Sequence, residues 1–251
     1  MCDEKRVVIV SGASGGIGSA ITKKFYDNGY YIAMCDISED MLKKTCQDLK
    51  LDDTKVSIYP LDITSEEQVV STINAIKERY GRVDALINVA AIIGEYGSTI
   101  DCTLDNFKKI YSVNVFGTFA MMKYVLPIML EQKKGNIVNF GSVSGMSGYT
   151  YEIGYGSSKW AVIGMTKNVA NEYGQYGIRS NSISPGWVNT EMFRKSVEDF
   201  AQWGDATITL GPLGRPAEPS EMADIVYFMC QPEANFLNGS NVLADGGMML
   251  G

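Results

Sequence analysis

The chain has 251 residues, 45% of them hydrophobic and 20% charged, an ordinary globular composition long enough for one substantial α/β domain. A net charge of −7 and the lack of a Lys/Arg cluster argue against nucleic acid as a partner. There is no histidine, which excludes a Ser-His-Asp hydrolase, a histidine proton shuttle and the usual zinc enzymes.

No metal site is therefore expected, and acid–base chemistry falls to Tyr, Lys, Asp, Glu or Cys. The chain opens Met1-Cys2-Asp3-Glu4-Lys5-Arg6, and the apolar run Val7 to Val10 that follows is too short for a secretion signal. That run is the first candidate strand. It leads into Ser11-Gly12-Ala13-Ser14-Gly15-Gly16-Ile17-Gly18, a glycine-rich turn opening a helix over Ile17 to Asn28, with Gly29 expected as its C-cap. Such a turn lets backbone N–H groups approach a pyrophosphate at the positive end of the helix. The second strand, Tyr31 to Cys35, ends at Asp36, where a carboxylate can accept from adenosine ribose hydroxyls and would repel a 2′-phosphate. Its neighbours Gly15 and Ile37 bring no cation, so NAD is expected over NADP.

The third strand, Val56 to Tyr59, runs into Leu61-Asp62-Ile63, whose acid could meet the adenine amino group. Thr64 and Glu67 form an expected capping box for a helix reaching Tyr80. The fourth strand, Ala85 to Asn88, ends in Asn88-Val89-Ala90-Ala91, where small residues would let backbone pass close to a cofactor. The longest apolar stretch, Val115 to Leu130, contains Lys123 and Pro127, and no membrane span is expected from it. Strand five, Ile137 to Phe140, delivers Ser142 at its carboxyl end, where ligands of open α/β sheets sit. Tyr155-Gly156-Ser157-Ser158-Lys159 then opens another helix, placing Tyr155 and Lys159 one turn apart on one face. A nearby ammonium stabilises a phenolate, so the pair suits proton exchange with an alcohol or ketone. Strands Ile178 to Ile183 and Asn241 to Ala244 complete seven. Strand–helix alternation of this kind implies a doubly wound, Rossmann-like parallel sheet in three layers, a single domain over 1–251.

These residues together resemble the short-chain dehydrogenase/reductase family, in its shorter single-domain branch, along nearly the whole chain. Gly12, Gly16 and Gly18 fall on the family's glycine motif, with Ser11 in place of Thr. Ser142, Tyr155 and Lys159 fall on its catalytic residues, and Asn114 on the fourth member of its tetrad. The resemblance implies a cofactor site of Gly12, Ser14, Gly16, Ile17, Gly18, Asp36, Asp62, Ile63, Asn88, Ala90, Tyr155, Lys159, Pro185, Gly186, Val188 and Thr190. Asn88-Val89-Ala90-Ala91 departs from the family's N-N-A-G.

By the same resemblance Tyr155 is the general acid/base and Lys159 lowers its pKa while bonding the nicotinamide ribose. Ser142 bonds the substrate oxygen, and Asn114 holds a water linking Lys159 to solvent. A lid over about 186–216, rich in Trp187, Met192, Phe193, Phe200 and Trp203, points to a bulky apolar or cyclic alcohol or ketone, such as a hydroxysteroid or bile acid. Two other substrates stay open, a 3-oxoacyl ester and a polyol, as does a non-catalytic dinucleotide sensor. The resemblance also implies a homo-tetramer. Five cysteines without CxxC spacing suit a reducing cytoplasm.

Overall fold

The computed structural model describes residues 5–201 and 209–250. Seven strands, β1 (Val7–Ser11), β2 (Tyr31–Asp36), β3 (Val56–Pro60), β4 (Ala85–Asn88), β5 (Gly135–Phe140), β6 (Ile178–Pro185) and β7 (Asn241–Ala244), form one parallel sheet. Its order is β3-β2-β1-β4-β5-β6-β7. The direction of winding therefore reverses between β1 and β4, and the crevice outside the carboxyl ends there is the natural ligand site of such a sheet.

Every residue of β1 is buried, as expected for a strand covered on both faces. Val8 and Val10 face one layer and Ile9 the other. The first layer is built by α1 (Gly16–Asp27) and α8 (Pro219–Met229), where Ile21 and Phe25 meet Val226. Rings of Phe25 and Tyr227 stand edge to face at 5.3 Å. The second layer holds α3 (Glu66–Tyr80) and α5 (Thr118–Gln132), with Val69, Ile73, Met121 and Val125 against the sheet.

The seven expected strands are all present, and the differences fall at their ends. β1, β2 and β6 run on to Ser11, Asp36 and Pro185, so the sheet itself carries the backbone into the crevice. Two helix-end expectations are corrected. The C-cap of α1 is Asn28, and Gly29 follows it at φ +81°, the left-handed position that closes a helix after its cap. The N-cap of α3 is Ser65, whose hydroxyl accepts from the Gln68 N–H. Thr64 is instead drawn back by Asp62, which accepts from both its N–H (2.9 Å) and its hydroxyl (2.7 Å).

The helical run Leu104–Gln132 is long and apolar enough to cross a membrane, but 61% of its most apolar window is buried against the rest of the chain. It consists of α4 (Leu104–Tyr111), a π-helical turn (Ser112–Gly117) and α5. The π-turn carries Asn114. Such a turn in the middle of a helix is common at functional sites. The remaining helices are α2 (Glu39–Asp48), α6 (Ile153–Tyr173) and α7 (Glu191–Ala201).

Candidate active site

At the winding reversal the glycine loop is packed as tightly as its composition allows. A Cβ at Gly12 would lie 2.7 Å from the Ala90 nitrogen, one at Gly16 would lie 2.9 Å from Thr190 Cγ2, and one at Gly18 would run into the Gly12 carbonyl. The loop is thus held by the end of β4 and by the chain leaving β6. α1 begins here with no side-chain cap and no acid in its first turn. By contrast, Ser38, Ser65 and Thr103 cap α2, α3 and α4, each with acids in the first turn. The free N–H groups of α1, including that of Ile17, leave a positive end suited to a phosphate. The loop fits a dinucleotide.

Asp36 lies beside this loop. One of its oxygens accepts from the Ser14 N–H (3.0 Å) and hydroxyl (2.5 Å), and the other from the Ile37 N–H (2.8 Å). Asp62 is partly engaged by Thr64, and Ile63 is buried in the second layer beside Gly117. Asn88 is also buried; its amide donates to Asn139 (2.8 Å) and its oxygen accepts from Ser11 (3.4 Å). Its side chain therefore ties β1, β4 and β5 together. Ala90 donates its N–H to the Ser11 carbonyl (3.1 Å). The substitution of Ala for glycine at 91 leaves this close backbone path intact.

At the reacting end, Ser142 leaves β5 and Tyr155 and Lys159 rise from the first turns of α6. Ser142 and Lys159 are buried, and Tyr155 is partly buried between them. The Ser142 side chain stands near enough to the Tyr155 hydroxyl to favour its ionisation, and the Ser142 hydroxyl accepts from the Ser144 N–H (3.1 Å). Lys159 donates to the Phe140 carbonyl (2.8 Å), with Nζ 5.5 Å from the Tyr155 ring centre. Burial pushes the Lys159 ammonium down to about 8. Burial, with the neighbouring Glu152 carboxylate, pushes the Tyr155 phenol above the tyrosine range, against the nearby Ser142 side chain.

Asn114 donates both amide hydrogens, to the Ile92 carbonyl (2.9 Å) and to Ser158 (3.0 Å), and accepts from the Ile92 N–H (2.9 Å). Pro185 ends β6, and the Gly186 N–H bonds the Ala244 carbonyl. Val188 is buried, and the Thr190 hydroxyl bonds the Val188 carbonyl (3.2 Å).

Beyond these, Trp187 faces Phe193 (5.4 Å between rings) and Phe200 (6.5 Å), and Phe200 faces Tyr96 (4.7 Å). The Tyr96 hydroxyl bonds Ser196 of α7 (2.8 Å). Met192 remains exposed, and Trp203 lies outside the described residues. Tyr96 and Glu152 were not singled out from the sequence. Neither sits in a motif, and both acquire meaning only from the chain folding that brings residue 97 against residue 152.

A nucleotide-binding glycine loop and a Ser-Tyr-Lys set thus share one crevice. A family model described as "Enoyl-(Acyl carrier protein) reductase" matches residues 12–249. The chain belongs to the short-chain dehydrogenase/reductase family. Levodione reductase from Leifsonia aquatica is 34% identical over 96% of this chain and 93% of that protein. A crystal structure of levodione reductase superposes with a TM-score of 0.93 at 33% identity, over 98% of each chain. An NAD+-bound xylitol dehydrogenase (30% identity, TM-score 0.93, 98% and 100% covered) and ElxO with NADP bound (32%, 0.89, 99% and 100%) share the architecture. The chain is accordingly an oxidoreductase of the family's single-domain size, acting on small molecules with a nicotinamide dinucleotide.

Proposed function

We propose that this protein interconverts a secondary alcohol and a ketone with NAD, on a bulky apolar or cyclic substrate such as a hydroxysteroid or bile acid. The observation carrying this reading is the Ser142–Tyr155 pair with Lys159 one helical turn on. NAD bound in the crevice supplies the hydride acceptor, and its nicotinium charge favours ionisation of a nearby phenol.

Tyr155 takes the alcohol proton as the carbon loses hydride, and returns it in the reverse direction. Ser142 bonds the substrate oxygen while charge develops on it. Lys159 holds the cofactor ribose and relays the Tyr155 proton. Both amide hydrogens of Asn114 are taken up within the protein, so a water in that relay would be bound through its backbone carbonyl. Glycines 12, 16 and 18, with Ser14 and Ile17, cradle the pyrophosphate. Asp36 accepts from the ribose, and Asp62, Ile63, Asn88 and Ala90 flank the adenosine half. Pro185, Gly186, Val188 and Thr190 border the nicotinamide.

NAD is favoured because the Asp36 carboxylate would repel a 2′-phosphate and the residue after it, the exposed Ile37, brings no cation. The aromatic series Tyr96, Phe200, Trp187 and Phe193 favours a bulky ring over a linear chain. A net charge of −7 weighs against an acidic acyl-carrier partner. We further propose one domain with a lid over about 186–216, and a homo-tetramer assembled through α6 and β7.

The test is a panel of hydroxysteroids, bile acids, cyclic alcohols and polyols with NAD+, run on wild type and Tyr155→Phe. Wild type turns over a bulky cyclic alcohol. The variant loses at least about a thousandfold in kcat while NADH binding, read by fluorescence, persists. Surviving activity with lost binding would reverse the roles.

A further inference from the structure

Glu152 is a buried carboxylate beside the reacting residues, and the roles described so far leave it without employment. It is 8% exposed. The chain reaches it through Tyr151, a non-glycine residue at φ +67°, whose carbonyl accepts from the Gly97 N–H (3.2 Å). Gly97 and Glu152 pair as an isolated parallel bridge. A left-handed backbone at a bulky residue is strained and persists only where the surroundings enforce it. Here they turn the Glu152 side chain inward at the start of α6.

Burial pushes the Glu152 carboxyl above the usual carboxylate range, against the nearby Ser144 side chain, and Oε2 is fully buried with no hydrogen-bond partner among the described residues. Tyr155 and Tyr96 stand close enough for the carboxylate to act on both phenols. The orphan acceptor is thus bracketed by the proton carrier, by the Ser142–Ser144 turn and by Tyr96 of the aromatic series. A buried acceptor left without a donor is costly, and native proteins rarely keep one idle.

We propose that Glu152 is a specificity-determining residue that accepts a hydrogen bond from a second hydroxyl on the substrate. The preferred substrates are then cyclic diols and the matching hydroxyketones, rather than cyclic mono-alcohols. This rests on the dehydrogenase reading above and narrows its substrate class. A site built to bond a hydroxyl discriminates strongly against an analogue lacking it, because the protein group is left unpaired.

The test compares kcat/KM for cyclohexanol and for 1,2-, 1,3- and 1,4-cyclohexanediol with NAD+ in wild type, Glu152→Leu and Glu152→Gln. Binding of each alcohol to the enzyme–NADH complex is measured alongside by calorimetry. At least one diol exceeds cyclohexanol tenfold or more, mainly through KM, and binds more tightly. In Glu152→Leu that ratio collapses towards one, and Glu152→Gln, which keeps an amide oxygen, restores part of it. A ratio that survives in Glu152→Leu, with both substrates falling together, overturns the proposal, because it is what a merely structural carboxylate would give. Turnover of cyclohexanol without preference for any diol also overturns it, while leaving the dehydrogenase reading in place. Turnover of none of the four beside turnover of a mono-hydroxysteroid overturns this proposal alone, and inactivity on the hydroxysteroids and bile acids as well sinks both readings. A preference for 4-aminocyclohexanol over every diol, abolished in Glu152→Gln, overturns the hydroxyl in favour of a cation.

Discussion

Asp36 is engaged at both oxygens, by Ser14 and by the Ile37 backbone. It therefore shapes the glycine loop as well as presenting charge to whatever the loop holds. Asp36→Ala is expected to have two separable effects. The ratio of kcat/KM for NAD+ over NADP+ falls at least about tenfold, the equivalent of about 1.4 kcal/mol, because a carboxylate no longer faces the 2′ position. KM rises for both cofactors, because Ser14 loses its acceptor. Steady-state kinetics with the two cofactors reads both effects, and a wild type that prefers NADPH refutes the assignment.

Lys159 gives a second prediction at this scale. Its folded value, about 8, is depressed from 10.5 by burial. The penalty of burying its charge is therefore full below about pH 8 and fades as pH rises towards 10.5, on the order of 3 kcal/mol in all. Lys159→Met removes that penalty and orphans the Phe140 carbonyl, at about 1–3 kcal/mol. Its Tm at pH 7 is expected to equal or exceed wild type, with the advantage shrinking by pH 9.5. Turnover falls a hundredfold or more. Thermal melts at the two pH values check the sign, and a large loss of Tm at pH 7 contradicts it. In the intact protein, alcohol oxidation rises with pH as the Tyr155–Lys159 pair loses its proton, and ketone reduction falls.

Among the elements, the inner strands were legible because β1, β2 and β4 are short apolar runs buried on both faces, and a parallel sheet needs such runs. Helix ends were less legible, and α3 shows why. Thr64…Glu67 and Ser65…Gln68 are equally good cap patterns in the sequence, and the choice is made by Asp62, which captures Thr64. Ser65→Ala is expected to cost about 1 kcal/mol and Thr64→Ala distinctly less. Urea denaturation of the two variants distinguishes them, and the reverse order would restore Thr64 as the cap. The site divides in the same way. Ser142, Tyr155 and Lys159 were readable because a strand end and one helix face bring them together. Glu152 and Tyr96 were not, because only the return of residue 97 against residue 152 joins them. The side-chain partners of Asn114 were hidden in the same way, because its neighbours in sequence do not reveal that Ile92 and Ser158 occupy its amide.

Across the whole molecule, the core and the crevice absorb most of the apolar surface but leave one layer bare. α6 packs on α4 and on the π-turn, and the outer side of this layer exposes Phe116, Phe119 and Trp160, the last at 56%. Gly164 stands one helical turn beyond Trp160, with open space where its Cβ would be. Exposed aromatics beside a bare glycine on one helix face suit a close approach by the same face of a second copy. A second apolar surface lies at the far edge of the sheet, where Leu243 of β7 and Phe236 are exposed. Two self-complementary surfaces generate a tetramer, and the loss of one leaves a dimer. Light scattering of the wild type is therefore expected to give four times the chain mass of 27.5 kDa. Trp160→Glu buries an unpaired charge in the α6 contact, a cost that breaks such interfaces, and the particle should fall to half that mass. Because Tyr155 and Lys159 rise from the same helix, the dimer should also lose turnover in proportion to any loosening of α6. A monomeric wild type, or a Trp160→Glu variant of unchanged mass, would remove this face from the assembly.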